Sequence, residues 1–126
     1  MAEIIMLPTH TDERGSLTVI EKIIPFQIKR IYYIYNCSDL ERGGHRHKKT
    51  IQAMICLKGS CTVDWNNGKE SSSVKLELPD NLLLLYPEDY HIMRDLTSET
   101  LLLVLASEHY DKADYIYENY INDRKV

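Results

Sequence analysis

The most reactive segment of the chain combines two histidines with four basic side chains. Residues 42–49 read Arg-Gly-Gly-His-Arg-His-Lys-Lys and contain no acidic residue. If this segment is extended, His45 and His47 project from the same face, because side chains alternate along a strand. Such a pair can bind a metal ion, transfer protons as an acid and a base, or form structural hydrogen bonds. The preceding glycines and the flanking cations favour a functional site.

Metal binding can be tested against the positions of the other candidate ligands. In the first metal motif of the cupin barrels, a glutamate follows the H-x-H pair, but this chain has Gln52 there, a weaker neutral ligand. His91 would supply a third imidazole for Zn²⁺ or Fe²⁺. The cations of residues 42–49 disfavour a divalent ion. We therefore place metal binding below metal-free acid/base chemistry, and we predict no cofactor.

The acid/base interpretation needs groups that change protonation near neutral pH. Histidine does so, with an ordinary pKa of about 6.5. Neighbouring positive charges oppose protonation, so we expect His45 and His47 to remain at least partly neutral. A neutral imidazole is a competent base. The pair could therefore remove a proton from one carbon of a substrate and deliver a proton to the next.

The basic side chains in this arrangement call for an anionic ligand. Arg14, Arg30 and Arg42 lie in or beside predicted strands, and the planar guanidinium group binds phosphate through paired hydrogen bonds. Arg30 and Tyr32 share one face of a predicted strand over residues 28–35, where they could hold a phosphate and a substrate hydroxyl or ring. The alternative is that Arg30 is a surface charge and Tyr32 is strand packing.

Short strands separated by turns must position these side chains. Apolar and β-branched runs predict strands over residues 4–7, 16–21, 28–35, 51–57, 61–65, 74–78, 82–86, 91–96 and 100–106. Their spacing favours a β-sandwich or barrel, and Asn66-Asn67-Gly68 is typical of a hairpin turn. Apolar and tyrosine residues in 110–122 instead predict a short amphipathic C-terminal helix that packs on the barrel or on a partner subunit.

Length and composition limit the classes of function. The chain has 126 residues, which predicts a single domain over residues 1–126, and its net charge of −4 argues against a nucleic-acid partner. No apolar run reaches about 18 residues, so we expect no membrane partner. The three cysteines cannot all pair, none lies in a C-x-x-C motif, and no secretory signal is evident. We therefore expect a reduced, cytoplasmic protein.

Several segments together resemble the dTDP-sugar 3,4-ketoisomerases of the cupin superfamily. They include the pieces DERGSL, RGGHRHKK and CLKGSC, and they span residues 12–17, 24–34, 42–49, 56–61 and 104–116. The similarity follows the chain in order over nearly its whole length. The combination of RGGHRHKK with the late piece VLASEHYDKADYI is far more specific than an isolated H-x-H pair.

The resemblance implies a fold, an assembly and a reaction. The fold would be a cupin-type double-stranded β-helix, or jelly-roll barrel, in a homodimer that exchanges N-terminal strands. The reaction would be the metal-free isomerisation of dTDP-4-keto-6-deoxyglucose to a 3-keto isomer, in the biosynthesis of 3-amino-3,6-dideoxy sugars for surface glycans. The resemblance also implies two sets of site residues: catalytic His45, His47 and Tyr32, and substrate-binding Arg14, Gly15, Arg30, Arg42, Gln52 and His91.

The chain departs from the family pattern at a few positions. Arg46 stands where alanine is common, and we expect its side chain to point outward with little effect. Gly44 replaces a larger residue and Tyr90 replaces a common tryptophan, so both changes bear on the sugar. Arg14 with Gly15 is more similar to the branch leading to 3-amino-3,6-dideoxygalactose.

Two other functions remain open at this stage. A nucleotide-sugar 3,5-epimerase would share the barrel, but it commonly pairs one histidine with an aspartate and a tyrosine acid, whereas the H-x-H pair favours the ketoisomerase. A cupin that binds a sugar or a metal without turnover would retain the pocket and lack the reaction.

Overall fold

The computed structural model describes residues 1–121 of the chain, which fold almost entirely into β-strands. In chain order the strands are β1 (Glu3–Met6), β2 (Thr9–Asp12), β3 (Gly15–Thr18), β4 (Arg30–Ile34), β5 (Arg42–His47), β6 (Gln52–Lys58), β7 (Cys61–Asn66), β8 (Ser71–Leu76), β9 (Asn81–Leu85), β10 (Tyr90–Arg94), β11 (Leu101–Ala106) and β12 (Tyr115–Ile116). A short 3-10 helix, Lys112–Asp114, precedes β12.

Two five-stranded antiparallel sheets form the barrel. The first sheet has the strand order β1-β9-β6-β11-β4, and the second has the order β12-β5-β10-β7-β8. Strands β2 and β3 form a separate hairpin that joins neither sheet. Two packed sheets with crossing connections are typical of jelly-roll proteins, so the predicted all-β barrel is confirmed.

The main core lies between the two sheets. Met54, Leu83 and Leu102 of the first sheet cluster with Val63 and Met93 of the second, and all five are at most 4% exposed. Removing this much apolar surface from water is the dominant favourable contribution to folding. The core therefore fixes the distance between the sheets.

A second apolar cluster covers the outer face of the first sheet. Ala53 and Ile55 of β6 point to this face and pack with Ile20, Ile24 and Phe26 from the segment between β3 and β4. Because both faces of β6 are covered, residues 52–56 are all buried instead of alternating. This explains why the strand reads as a continuous apolar run.

Two of the strands that sequence patterns missed, wholly or in part, are polar. All four residues of β2, Thr9–Asp12, are exposed, and so are Ser71 to Ser73 at the start of β8. Without a buried face these segments show no apolar alternation, although cross-strand pairing still holds them. The predicted strand over residues 16–21 ends earlier than expected, at Thr18.

The predicted amphipathic helix over residues 110–122 is wrong. Asp111 caps a single 3-10 turn by accepting a hydrogen bond from the Ala113 N–H, and the chain then becomes extended. Tyr115 and Ile116 form β12 and pair with β5, where they cover its free edge. Aromatic and β-branched side chains suit such a strand. Residue 122 lies outside the described residues.

Within residues 1–121, the structure contains no helix with the length and apolar content required to cross a membrane.

Candidate active site

A glycine bulge in β5 directly precedes His45, the first histidine of the pair. His45 pairs with His91 on β10, but the next pair is Gly43 with Ile92, so Gly44 is the extra residue. Gly43 and Gly44 have φ of 88° and 82°, values that favour glycine. A Cβ atom on Gly43 would lie 2.8 Å from the carbonyl oxygen of His91. The two glycines therefore permit the close approach of β5 and β10.

Three imidazole rings meet inside the barrel. The ring centroid of His45 lies 5.0 Å from that of His47 and 4.9 Å from that of His91. Burial lowers the pKa of His91 to about 3, and burial together with the neighbouring His47 lowers the pKa of His45 to about 4. Both rings are therefore neutral at pH 7, and for His45 this is what the acid/base prediction requires. The main cause of the lowered pKa values is burial and not the cations of residues 42–49.

A buried carboxylate, which the sequence analysis did not identify, orients the second histidine. Asp114 Oδ2 accepts hydrogen bonds from His47 Nδ1, at 2.9 Å, and from the Thr50 hydroxyl. Asp114 Oδ1 accepts from the backbone N–H groups of Lys49 and Lys48, at 2.8 Å and 3.2 Å. Burial would raise the pKa of Asp114, but these hydrogen bonds hold it below its ordinary value. An ionised carboxylate thus fixes the ring of His47.

His47 and Gln52 form the inner layer of the site. Burial lowers the pKa of His47, while the contact with Asp114 opposes that shift. His47 Nε2 and Gln52 Oε1 are both buried without a hydrogen-bond partner among residues 1–121. Gln52 Nε2 donates to the Tyr32 hydroxyl at 2.9 Å. Gln52 therefore links the inner layer to a tyrosine of the pocket.

Tyrosines form the aromatic walls of the site. The ring of Tyr115 lies 4.7 Å from the rings of both His45 and His47. Tyr32 stacks under the Arg30 guanidinium at 4.4 Å, and burial raises the pKa of its phenol. Tyr115 belongs to the segment that was predicted as a helix, where tyrosine spacing alone gave no indication of a pocket.

The pocket in front of His45 brings most of the predicted site residues together. Its lining consists of Arg30, Tyr32, Ile34, Arg42, Gly43, His45, His91, Met93 and Tyr115. Two predicted residues, His47 and Gln52, lie behind this lining at 5% and 2% exposure. A neighbouring cavity shares Ile34 and Arg42 and extends along residues 35–41. The two cavities together offer an elongated site with a cationic side chain at their junction.

Arg14 and Gly15 do not reach this pocket within the same chain. They lie at the turn of the β2–β3 hairpin, where the Arg14 side chain is 86% exposed and forms an ion pair with Asp12 at 2.6 Å. Hydrogen bonding to Asp12 raises the pKa of Arg14, so the guanidinium remains charged. This hairpin therefore presents a cation to whatever molecule lies next to it.

Within residues 1–121, no group of three or more His, Cys, Asp or Glu side chains is arranged so that it could hold a metal ion.

The fold and the pocket define a cupin-type barrel whose site combines neutral histidines with a cationic wall for an anionic ligand. The family model described as FdtA: WxcM-like, C-terminal matches residues 1–125. The TDP-4-oxo-6-deoxy-alpha-D-glucose-3,4-oxoisomerase of Aneurinibacillus thermoaerophilus is 45% identical over 114 residues, which cover 86% of this chain and 82% of that protein.

Solved structures agree with this sequence relationship. A mutant of the 3,4-ketoisomerase from Thermoanaerobacterium thermosaccharolyticum, in complex with TDP-4-keto-6-deoxyglucose, is 42% identical with a TM-score of 0.88, over 93% of this chain and 87% of that chain. The TDP-quinovose 3,4-ketoisomerase of Campylobacter jejuni is 38% identical with a TM-score of 0.89, over 93% and 92% of the two chains. This chain therefore belongs to the dTDP-sugar 3,4-ketoisomerase family, as the resemblance of its motifs predicted.

Epimerases share the fold at a greater distance. A 3'-monoepimerase from Streptomyces bikiniensis is 16% identical with a TM-score of 0.78, over 90% of this chain and 67% of that chain. At this level of identity the similarity extends to the fold alone.

The buried histidines predict how stability depends on pH. His91 stays neutral in the folded protein to a pKa of about 3, whereas an unfolded histidine takes up a proton near pH 6.5. The unfolded state therefore binds more protons between these values, and the free energy of unfolding must fall as the pH is lowered from about 6.5. His91→Gln should reduce this slope by up to about 1.4 kcal/mol per pH unit.

Urea denaturation of the wild type and of H91Q between pH 4.5 and 8 would measure this difference. Above about pH 7 the two curves should run parallel, because His91 is then neutral in both states. Equal slopes below pH 6 would contradict the assignment of His91 as a neutral buried group.

Proposed function

We propose that this single cupin-like domain converts dTDP-4-keto-6-deoxyglucose into a dTDP-3-keto-6-deoxyhexose by metal-free acid/base catalysis. The observation that carries the proposal is the arrangement around His45: a neutral imidazole faces the pocket, His47 held by Asp114 stands behind it, and Arg30 and Arg42 line the pocket wall. The named activities of the relatives support the same reaction and substrate.

The reaction moves a carbonyl between adjacent carbons, so its proton balance identifies the groups required. The C3–H bond breaks, a C4–H bond forms, and the proton on the C3 oxygen is lost while the C4 oxygen gains one. His45 accepts the C3 proton, which leaves an enediolate whose negative charge resides on oxygen. Tyr32, with its raised pKa, is a neutral hydrogen-bond donor to that oxygen. The proton of the C3 hydroxyl passes to the C4 oxygen, and the His45 imidazolium returns a proton to C4, which completes the isomerisation.

The remaining pocket residues position the nucleotide-sugar. Arg30 and Arg42 provide positive charge for the diphosphate, and a guanidinium matches two phosphate oxygens at once. His91 and Gln52 support the proton-transfer layer, since His91 donates from Nδ1 to the Asp89 carbonyl oxygen at 3.0 Å and thereby keeps its ring in one orientation. Neither the carbonyl transfer nor the anion binding requires a metal ion or an organic cofactor.

The same proposal includes a homodimer with exchanged N-terminal strands. Ile31 and Tyr33 on the outward face of β4 and Tyr35 directly after it are each about 60% accessible, and such an apolar face is suited to a partner subunit. The β2–β3 hairpin joins neither sheet of its own chain. Exchange would carry Arg14 and Gly15 into the partner subunit's pocket, where the exposed Arg14 guanidinium could exchange its contact with Asp12 for one with the substrate.

The proposal also places the reaction in the cytoplasm, in the synthesis of sugars for surface glycans. Cys37, Cys56 and Cys61 are all free thiols, which suits a reducing compartment. A 3-keto product is the form that an amine-transferring enzyme would convert into a 3-amino sugar. The Arg14-Gly15 pair favours the galacto configuration at C4.

A 3,5-epimerase is the second candidate, and one observation favours it. The His47–Asp114 pair has the composition of the base commonly found in those enzymes, with tyrosines nearby. The ketoisomerase remains the better supported function, since the relatives with that activity are 31–45% identical to this chain, against 16% for the 3'-monoepimerase.

Product analysis tests the reaction directly. Proton and carbon NMR after incubation with dTDP-4-keto-6-deoxyglucose in D₂O should show the carbonyl at C3 and should report the configuration at C4. His45→Asn should lower kcat by at least about 100-fold, because the base is lost. It should retain affinity for dTDP, which depends on the arginines.

Three outcomes would contradict the proposal. Inversion at C5 without movement of the carbonyl would identify an epimerase, and dTDP binding without turnover would identify a binding protein. One tightly held iron or zinc ion per chain, measured on the active enzyme, would overturn the metal-free mechanism.

Asp114 and Asp111 form a matched pair of variants. Asp114→Asn should lower kcat by about 10-fold or more with little change in KM, because the amide no longer fixes His47 yet the pocket lining is unaltered. Asp111→Asn should stay near the wild type, since asparagine also caps the turn and does not contact the histidine. Steady-state kinetics at saturating substrate would separate the two, and a D114N variant with wild-type kcat would exclude an orienting role.

Subunit mixing tests the exchanged hairpin. Arg14→Ala and His45→Asn should each be poorly active alone. Co-refolded chains should recover about a quarter of the wild-type activity, because half of the dimers are mixed and one of their two pockets has both residues intact. No recovery would indicate that Arg14 does not serve the pocket of a partner subunit.

A further inference from the structure

The segment that follows β12 crosses the outer face of the second sheet. We call residues 117–121 the strap. Asn66 Nδ2 donates to Asn119 Oδ1 at 3.3 Å, and the Tyr120 hydroxyl donates to the Glu88 carbonyl oxygen at 2.6 Å. The Tyr120 ring also lies against Gly68, where a Cβ atom would come within 2.9 Å of it. Because Asn66 pairs with Tyr90, the end of β7 and the start of β10 lie side by side, and the strap is attached to the loops at this one end of the two strands.

Arg46 provides the central attachment of the strap. It stands between the two histidines of β5, so its side chain lies on the opposite face of the strand. Its Nε donates to the Glu118 carbonyl oxygen at 3.1 Å, and its Nη1 donates to the Tyr120 hydroxyl at 3.2 Å. Its guanidinium also lies 4.2 Å from the centroid of the Tyr120 ring. Two charge-assisted hydrogen bonds and a cation–π contact thus converge on one residue.

The stability of the short strand β12 depends on the contacts that anchor its two ends. It contains only Tyr115 and Ile116, and a two-residue strand at a sheet edge opens easily. Asp114 anchors the end before it through the hydrogen bond to His47. The strap anchors the end after it, and Arg46 is joined to β12 by backbone pairing as well as to the strap by its side chain.

We propose that Arg46 is a positioning residue that clamps the strap and thereby keeps Tyr115 and Asp114 against the two histidines. From the sequence, this side chain was predicted to point outward with little effect. It does point outward, and its contacts give it a role in the site. The inference rests on the proposed function, since the histidines held in this way are those assigned to proton transfer.

Loss of the clamp should change the environment of His45. Tyr115 is one of the groups that exclude water from this ring, and burial is the main cause of its lowered pKa. The titratable or charged groups around His45 are His47 on the same strand, His91 on β10, Arg30 and Tyr32 on β4, Arg42, Tyr115 and Tyr117. A loosened β12 admits water, so the acid limb of kcat/KM should move to higher pH.

Kinetics on five proteins would test the clamp: the wild type, Arg46→Ala, Arg46→Lys, Tyr120→Phe and Lys58→Ala. R46A should lose about 10-fold or more in kcat/KM and show the shifted acid limb. R46K should recover only part of the loss, because lysine cannot form the guanidinium fork. Y120F should change in the same direction by less. K58A, an exposed cation paired with Glu99, should match the wild type.

Amide hydrogen exchange separates failure of this inference from failure of the proposed function. In R46A the amides of Lys48 and Lys49, which donate to Asp114, and that of Ile116 should exchange faster than in the wild type. Faster exchange together with a wild type inactive on dTDP-4-keto-6-deoxyglucose would retain the clamp and reject the function. An active wild type with unchanged exchange and an unchanged acid limb in R46A would overturn the clamp.

Discussion

The burial of one carboxylate determines how the C-terminal part of this barrel is built. Asp114 is 4% exposed, and an ionised group at such a site costs several kcal/mol unless donors surround it. Those donors come from residues 47–50, which form the last position of β5 and the turn that follows it. Once this turn is formed, β12 can follow only the free edge of β5, which places Tyr115 beside the histidines. The orientation of His47, the covering of a sheet edge and the aromatic wall of the pocket thus share one cause.

The site needs both a neutral base and positive charge for an anionic ligand, and the structure supplies these from different side chains. His45 and His91 stay neutral because they are removed from water, and this neutrality is what a base requires. Positive charge for an anionic ligand is instead held at the pocket lining by Arg30 and Arg42. Arg46, which lies between the histidines in sequence, faces away and binds the strap. Along β5 itself, alternation places His45 and His47 on the inner face and Arg46 on the outer face.

The parts of the molecule predicted from sequence are those with a local signal. Apolar alternation identified most strands, and the spacing of His45 and His47 placed both on one face of β5. The same reasoning failed for residues 110–122, where tyrosines and isoleucines fit a helical period although the free edge of β5 made extended pairing more favourable. Asp114 left no local signal at all, because its partners lie far away along the chain. Long-range hydrogen bonds of this kind become visible only when the fold is known.

The distance between His47 and Asp114 along the chain also sets an order of events in biosynthesis. The two residues are separated by 67 positions, so His47 is synthesised well before the carboxylate that orients it. At ordinary rates of translation this interval lasts roughly 3–13 s. During that time β5 has an uncovered edge, and the donors of residues 47–50 are available to water or to other strands. Closing so long a loop also carries an entropic cost that delays this contact relative to local hairpins. Enzymatic turnover therefore requires that this long-range contact has formed, whereas the appearance of β-structure alone does not.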